Sequence, residues 1–405
     1  MSSAIEGGKI PGALDLSRLT AALTQVSGLG GWSDAIHLDA VRPSIRITPL
    51  GDVQVDPHFF EDVIKPFGHA TGEKIVDAEV SDYATNFEPP TPVGAIEGRL
   101  DPEFVHAWAD EHSFAPDEFR RVVDEIEDHG IEQQLAVFAV RRSELALLLK
   151  DLAPDGDLIA QALTTTPQPA WREMPPGFKE KDCQPWRFRR RLSLLRRPIV
   201  QVDESDDPLL IIAPGLIRDA VAYSMIGYLE GNFPHEQVRS TRMKAWFGKA
   251  ADRRGSKFTQ EVAARLRESG WNVECEVPVT KILGMGFDVD YGDVDVLAWS
   301  EAKGRILFAE CKDLHFHKTP SEIAEQLSDF RGKTRNGKRD LLKKHLDRCA
   351  VLAANAARVK AYVRSDDTPA LENFVIFRYP VPMLFAWAQL DPQVQIGLFD
   401  GLAEL

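Results

Sequence analysis

Cysteine is scarce: four residues in 405, Cys183, Cys275, Cys311 and Cys349, lie far apart with no C-x-x-C pair. That spacing excludes a disulfide framework and a zinc knuckle, and makes a reducing, cytoplasmic compartment the expected one. No apolar run is long enough to cross a bilayer, and no amino-terminal segment joins basic residues to an apolar stretch, so no membrane partner is expected. A phosphate-cradling G-x-x-x-x-G-K-[ST] is missing, and Gly28-Leu29-Gly30-Gly31 lacks the strand-to-helix setting of a nucleotide loop. No internal repeat is present. Positive charge is short as well, with 48 Lys and Arg against 62 Asp and Glu. A chain this acidic is a poor general binder of polyanions, so any nucleic-acid contact must come from local patches.

The charge is unevenly spread. Residues 241–405 hold 25 Lys and Arg against 23 Asp and Glu, whereas residues 1–240 hold 23 against 39. Two basic patches stand out. One runs from Arg331 to Arg348 and includes Lys338, Arg339, Lys343 and Lys344. It is read as a track for the phosphate backbone, or as a solvated helix face. The other, Arg187, Arg189, Arg190, Arg191, Arg196 and Arg197, surrounds Trp186 and Phe188. It either serves a substrate or docks on the acidic half of its own chain. That acidic half is also a candidate surface for a protein partner or for oligomer formation.

The most informative stretch is Gly292-Asp293-Val294-Asp295-Val296-Leu297-Ala298-Trp299, followed after a Lys303-Gly304 turn by Arg305-Ile306-Leu307-Phe308-Ala309-Glu310-Cys311-Lys312. Both runs read as strands from their β-branched and aromatic content. Carboxylates in interior strands are costly unless paired or bound to a metal. Residues two apart share a face, so Glu310 and Lys312 point one way, where Asp295 of a neighbouring strand can meet them. Two carboxylates and an ammonium on one sheet face suit a hard divalent cation and a phosphate. The competing reading is a buried ion pair that only holds two strands together.

Those residues resemble the PD-(D/E)xK nuclease superfamily with its restriction-endonuclease-like fold. G-D-V-D-V-L followed by F-A-E-C-K looks most like its Mrr-like and Holliday-junction-resolvase-like branches. The resemblance covers roughly Lys244 to Pro382 and is silent on the amino-terminal half. It implies metal ligation by Asp295 and Glu310, a catalytic Lys312, an upstream helix acid at Glu261, and a helix glutamine at Gln326. Mg²⁺ or Mn²⁺ would be the cofactor and DNA the substrate. Asp293 competes with Asp295, and the family's order favours Asp295. Read from the residues alone, Glu261 is equally a solvated partner of Arg265 at i,i+4, and Gln326 a helix-surface glutamine.

The neighbouring elements fit an α/β core. Ser256 to Ser269 reads as a helix with Ser256 as N-cap, and Trp271 to Val279 as a first strand. Lys281 to Tyr291 reads as a hairpin loop. Thr319-Pro320-Ser321-Glu322 reads as a capping box opening a helix with Ile323, Gln326, Leu327 and Phe330. A longer helix over Arg339 to Val359 and a closing strand over Asn373 to Tyr379 follow. Upstream lies a separate α+β region with strand-like runs at Ile45–Ile47, Val53–Val55 and Leu209–Ala213. Helices are expected from Asp101-Pro102, over Ala115–His129, Arg141–Leu152 and Gly215–Leu229. Glu88 to Pro92 and Pro167 to Pro185 read as connections, and His315 and His317 as surface or substrate-side residues. The expected division is 1–200, a helical connector 201–243, a nuclease domain 244–385 and a tail 386–405. The expected activity is a Mg²⁺-dependent endonuclease cutting DNA in bacterial defence or DNA processing. The alternatives are a catalytically inactive module of that fold binding nucleic acid or a protein, and a nuclease directed at RNA.

Overall fold

The computed structural model of the chain describes residues 12–41, 45–55, 58–86, 100–152, 156–166, 177–188, 190–314, 317, 319–365, 369–386 and 394–405, with backbone alone for 45, 55 and 77–86. Residues 88–92 and 167–176 of the two expected connections, with Arg189 and His315, lie outside them. The architecture is α/β, with helices around mixed sheets. It divides into two compact units, residues 1–30 with 95–252, and residues 31–94 with 253–405. This differs from the linear division expected above, because residues 31–94 supply Ala35, Phe59, Val63 and Phe67 to a core of the carboxy-terminal half.

In the first unit a four-stranded sheet runs in the order Phe138–Arg141, Leu209–Ile212, Ile199–Gln201, Thr164–Thr165. Helix Pro116–Glu132 lines up Phe119, Val122, Val123 and Ile126 at helical spacing and packs on Pro214–Leu229. Helix Pro102–His112 opens at Asp101, whose carboxylate accepts the Glu103 N–H at 2.8 Å. These elements close over Phe104, Trp108, Ile159, Ile212 and Phe247. Burial of side chains this large stabilises by about 1.5–3 kcal/mol each. The helix expected over Arg141–Leu152 is shortened to Arg142–Leu148, since Phe138–Arg141 pairs as a strand.

Around the strand-like runs expected at 45–47 and 53–55, the structure has two long helices that were not expected, Ala13–His37 and Lys65–Asn86. Gly28, Gly30 and Gly31 punctuate the first and Gly68 and Gly72 the second, against their low helix propensity. Gly30 is required for contact: a Cβ there would overlap the Trp186 ring. Ile45–Ile47 and Val53–Val55 do pair, antiparallel.

The second unit is built on a five-stranded sheet in the order Gln395–Leu398, Ala370–Phe377, Arg305–Lys312, Asp293–Ser300, Asn272–Pro278. In the last three each strand is antiparallel to its neighbour, and Ala370–Phe377 joins Arg305–Lys312 in parallel after a helical crossover. Gln395–Leu398 adds a parallel edge, so the expected tail is part of the sheet. Arg305–Lys312 is covered on both faces, which explains its near-continuous apolar run. Leu307, Ala309 and Cys311 meet Phe258, Val262 and Leu266 on one side, while Ile306 and Phe308 meet Cys349, Leu352 and Val359 on the other.

Three local expectations change. The helix expected to start at Ser256 is the continuation of Thr241–Glu268, so Ser256 caps nothing. The loop after the first strand begins with a short helix, Val279–Leu283, ended by Gly284 at φ 61°. The helix expected over 339–359 is three pieces. Lys338–Arg339 pairs with Thr334–Arg335 around Asn336 and Gly337, both at positive φ as a primed hairpin turn demands. Leu341–Ala354 follows, capped where Asp340 accepts the Lys343 N–H at 2.7 Å, and Asn355 separates it from Ala356–Val363.

Candidate active site

Val296 pairs with Ala309 and Leu297 with Phe308, a register that carries Asp295 opposite Glu310 on one sheet face. Lys312 shares that face by strand alternation. Its ammonium lies 2.6 Å from Glu310 Oε1. The second oxygen of Glu310 accepts from Arg348 Nη1 at 2.5 Å, and His345 Nδ1 stands 3.7 Å away. Arg348 is anchored in turn by donating from Nε to the Tyr291 carbonyl at 3.0 Å. Asp295 Oδ2 accepts the Cys311 N–H at 2.8 Å. The sequence reading thus brings Asp295, Glu310 and Lys312 together, and misses Arg348 and His345. A signal for them exists: Leu342, His345, Cys349 and Leu352 recur at the spacing of a buried helix face.

The two carboxylates are driven apart electrostatically. Burial first, then the charge of Glu310, raises the Asp295 carboxyl from 3.8 to about 6. Burial pushes Glu310 the same way, but Lys312, Arg348 and His345 outweigh it and hold it at about 2. For Lys312, burial favours the neutral amine, and Glu310 and Asp295 overcome it, so the net shift is upward. His345 is kept neutral by burial, at about 4.

A stability test follows from Asp295. Its folded value lies above its unfolded one, so the folded state retains the proton between about pH 4 and 6 and loses relative stability as pH rises through that window. His345, depressed by burial, acts with opposite sign there and is common to both proteins compared. Stability of the wild type relative to Asp295→Asn should therefore fall by about 2–3 kcal/mol between pH 4 and 6.5 and then stay level. Urea unfolding of both proteins across that range measures it; a flat difference would contradict the assigned environment.

The other expected residues are placed differently. Glu261 does not pair with Arg265. It meets Arg378 Nη1 at 2.6 Å, and Arg378 Nε also reaches Asp313 at 2.9 Å. Its helix packs, through Phe258, Val262 and Leu266, on the face of Leu307, Ala309 and Cys311, opposite that of Glu310 and Lys312. Gln326 is no surface glutamine. It is 5% exposed, and among the described residues its Oε1 has no hydrogen-bond partner. Its helix, Pro320–Ser328, packs on Val375 and Phe377, which pair with Glu310 and Lys312 and so share their face. Asp293 sits at the exposed start of its strand, paired with Pro278.

The Arg331–Arg348 patch is partly neutralised within the fold. Arg331 and Arg335 pair with Asp39, and Arg339 and Lys343 with Asp347. Arg348 belongs to the Glu310 centre. Lys338 and Lys344 are exposed and, among the described residues, make no ion pair. Within the Arg187–Arg197 run, Arg191 pairs with Asp182 at 3.0 Å and Arg196 donates to Gln237 at 2.7 Å.

For a divalent cation the donor set fits in chemistry, because a buried and a half-buried carboxylate that repel each other are the arrangement such an ion relieves. Among the described residues no group of three or more His, Cys, Asp and Glu converges on one point. Waters and substrate oxygens would complete the shell, and Arg348 would have to leave Glu310.

The fold and this centre define an α/β protein with an acid–lysine cluster on its sheet. The family described as anti-phage protein Upx-like matches the chain over residues 3–402, and the chain belongs to that family. Membership supports a role in defence against phage. No curated protein and no solved structure matches the chain. Among the described residues no helix is long and apolar enough to cross a membrane.

Proposed function

We propose that the chain is a metal-dependent nuclease that hydrolyses phosphodiester bonds of DNA as its part in phage defence. The observation that carries this reading is Asp295 opposite Glu310 with Lys312 on the same face. Asp295 and Glu310 would hold Mg²⁺ or Mn²⁺, which supplies an activated water and neutralises charge at the phosphate. Lys312 keeps its proton beside them and is placed to stabilise negative charge developing on phosphoryl oxygens. Gln326 offers a buried acceptor to a water or to a substrate hydrogen-bond donor. Arg348, released from Glu310, can turn to a substrate phosphate.

A second reading, a nucleic-acid-binding module without catalysis, is favoured by the Arg348–Glu310 pair, which occupies the carboxylate a cation needs. One experiment separates them. Linear, circular, branched and single-stranded DNA, and RNA, are incubated with the protein and Mg²⁺ or Mn²⁺, against EDTA. EDTA-sensitive cleavage of a DNA is expected; binding without cleavage throughout supports the second reading, and cleavage confined to RNA reassigns the substrate.

The basic patch gives a further expectation. Neutralising Lys338, Arg339, Lys343 and Lys344 together should weaken binding to all sequences alike and flatten its salt dependence. Each lost phosphate contact on duplex DNA lowers the log–log slope by about 0.9. Lys338 and Lys344 should account for most of the change, since Arg339 and Lys343 are held by Asp347. An unchanged slope in the quadruple variant would assign the patch to folding or to a protein partner.

A further inference from the structure

We infer that the amino-terminal unit holds a second ligand site, a cleft of ≈ 850 Å³ whose converging arginines and aromatic wall take a small nucleoside phosphate. Arg191, Arg196, Arg197, Arg239 and Lys244 line it. Three of these guanidinium groups are fixed in place. Arg191 donates to Asp182 and to the Gly177 carbonyl, both at 3.0 Å. Arg196 donates to Gln237 Oε1 at 2.7 Å and to the Tyr228 hydroxyl at 2.9 Å, and lies 4.4 Å over the Phe233 ring. Arg239 donates to the Glu111 carbonyl at 3.0 Å. A guanidinium carries five donors, so each keeps N–H groups for a ligand.

Arg197 is the decisive residue. It is half-buried and, among the described residues, its guanidinium makes no hydrogen bond or ion pair; it lies 5.8 Å from the Phe178 ring and interacts favourably with Tyr228. Burial, then Arg196, Arg239 and Arg191, depress its pKa, which places four like charges within reach of one another. Holding cations together in a partly desolvated cleft is unfavourable unless an anion binds among them. Two of the four are countered within the fold, Arg191 by Asp182 at 3.0 Å and Arg239 by Glu111 at 3.7 Å. Arg196 and Arg197 have no carboxylate partner among the described residues, and Glu236 faces Lys179 and Lys181. Arginine forks match phosphate oxygens in particular.

The remainder of the cleft suits a planar ring. Phe178 carries Arg191 at 4.7 Å over its face, and His112 lies tilted against Trp108 at 4.3 Å and edge-on to Tyr228 at 4.8 Å. Among the described residues His112 Nε2 is buried without a hydrogen-bond partner, and burial holds the imidazole neutral, at about 3, so it can donate or accept toward a base edge. The volume falls in the range of about 300–1,000 Å³ that small-ligand pockets occupy, too small for a duplex.

The test is calorimetric titration of the full chain with nucleoside mono-, di- and triphosphates, cyclic nucleotides, inorganic phosphate and short single-stranded oligonucleotides at fixed ionic strength. At least one nucleotide should bind in the micromolar range. Arg197→Gln should weaken it tenfold or more, and the exposed Lys244→Ala two- to fivefold, while Lys312→Met, in the other unit, should leave it unchanged. Without ligand, Arg197→Gln should raise the thermal midpoint, because it relieves repulsion. The inference is overturned by absence of nucleotide binding at millimolar concentration, or by an affinity indifferent to Arg197→Gln and Lys244→Ala. Inorganic phosphate binding as tightly as the best nucleotide would remove the nucleoside from the assignment. Arg197-dependent binding of oligonucleotides alone would replace it with single-stranded nucleic acid. None of these outcomes depends on cleavage by the Glu310 centre.

Discussion

Lys312→Met and Asp295→Asn should each lower DNA cleavage by about 10³-fold or more, the scale expected when a group acting on the transition state is removed. Both should stay folded. The amide introduced by Asp295→Asn keeps an oxygen for the Cys311 N–H, and Lys312→Met leaves Glu310 paired with Arg348. Because the residues act as one unit, the double variant should be little worse than either single one. The measurement is the single-turnover cleavage rate, with phage plating on cells carrying each variant alongside. Cleavage at the wild-type rate by Lys312→Met would remove the proposed chemistry.

Glu310→Ala should act on the fold as well, with a loss of about 3–5 kcal/mol, as expected when one partner of a buried ion pair is deleted. Lys312 and Arg348 would then face each other without the carboxylate that now binds both. The urea midpoint should drop accordingly, and adding Arg348→Met should recover part of the loss, because it removes one of the two orphaned cations. A Glu310→Ala protein as stable as the wild type would mean that the three groups do not form the cluster described. The comparison also keeps activity and stability apart: Lys312→Met reads the chemistry, and Glu310→Ala reads the charge balance beneath it.

The strand pair that carries the site was legible because its signals are local. Alternation fixes which residues share a face, and the Lys303-Gly304 turn sets the neighbours, so Asp295, Glu310 and Lys312 could be grouped without coordinates. Glu261 was harder. Linear order places a helix before the strands but not on which side of the sheet it lands, and this one lands opposite Glu310. Arg348 looked like one more member of a basic run, since the run's helical phase was obscured by the Asn336-Gly337 hairpin. The long helices of residues 13–37 and 65–86 were hidden by glycines whose propensity says turn and by the lack of an apolar stripe at helical spacing. Gln326 could be placed on a helix, but its burial depends on the parallel strand Ala370–Phe377, some fifty positions later.

The discontinuity of the second unit has a consequence for synthesis. Residues 31–94 leave the ribosome early, yet the unit they belong to continues only at residue 253. The Glu310 strand remains an open edge until Ala370–Phe377 arrives to pair with it. Partners so distant along the chain make assembly slow and late relative to the contiguous span 95–252. A nascent chain arrested before residue 370 therefore carries a finished amino-terminal cleft together with an acid–lysine centre that still lacks its neighbouring strand. Limited proteolysis of stalled nascent chains would show protection of the first unit well before the second.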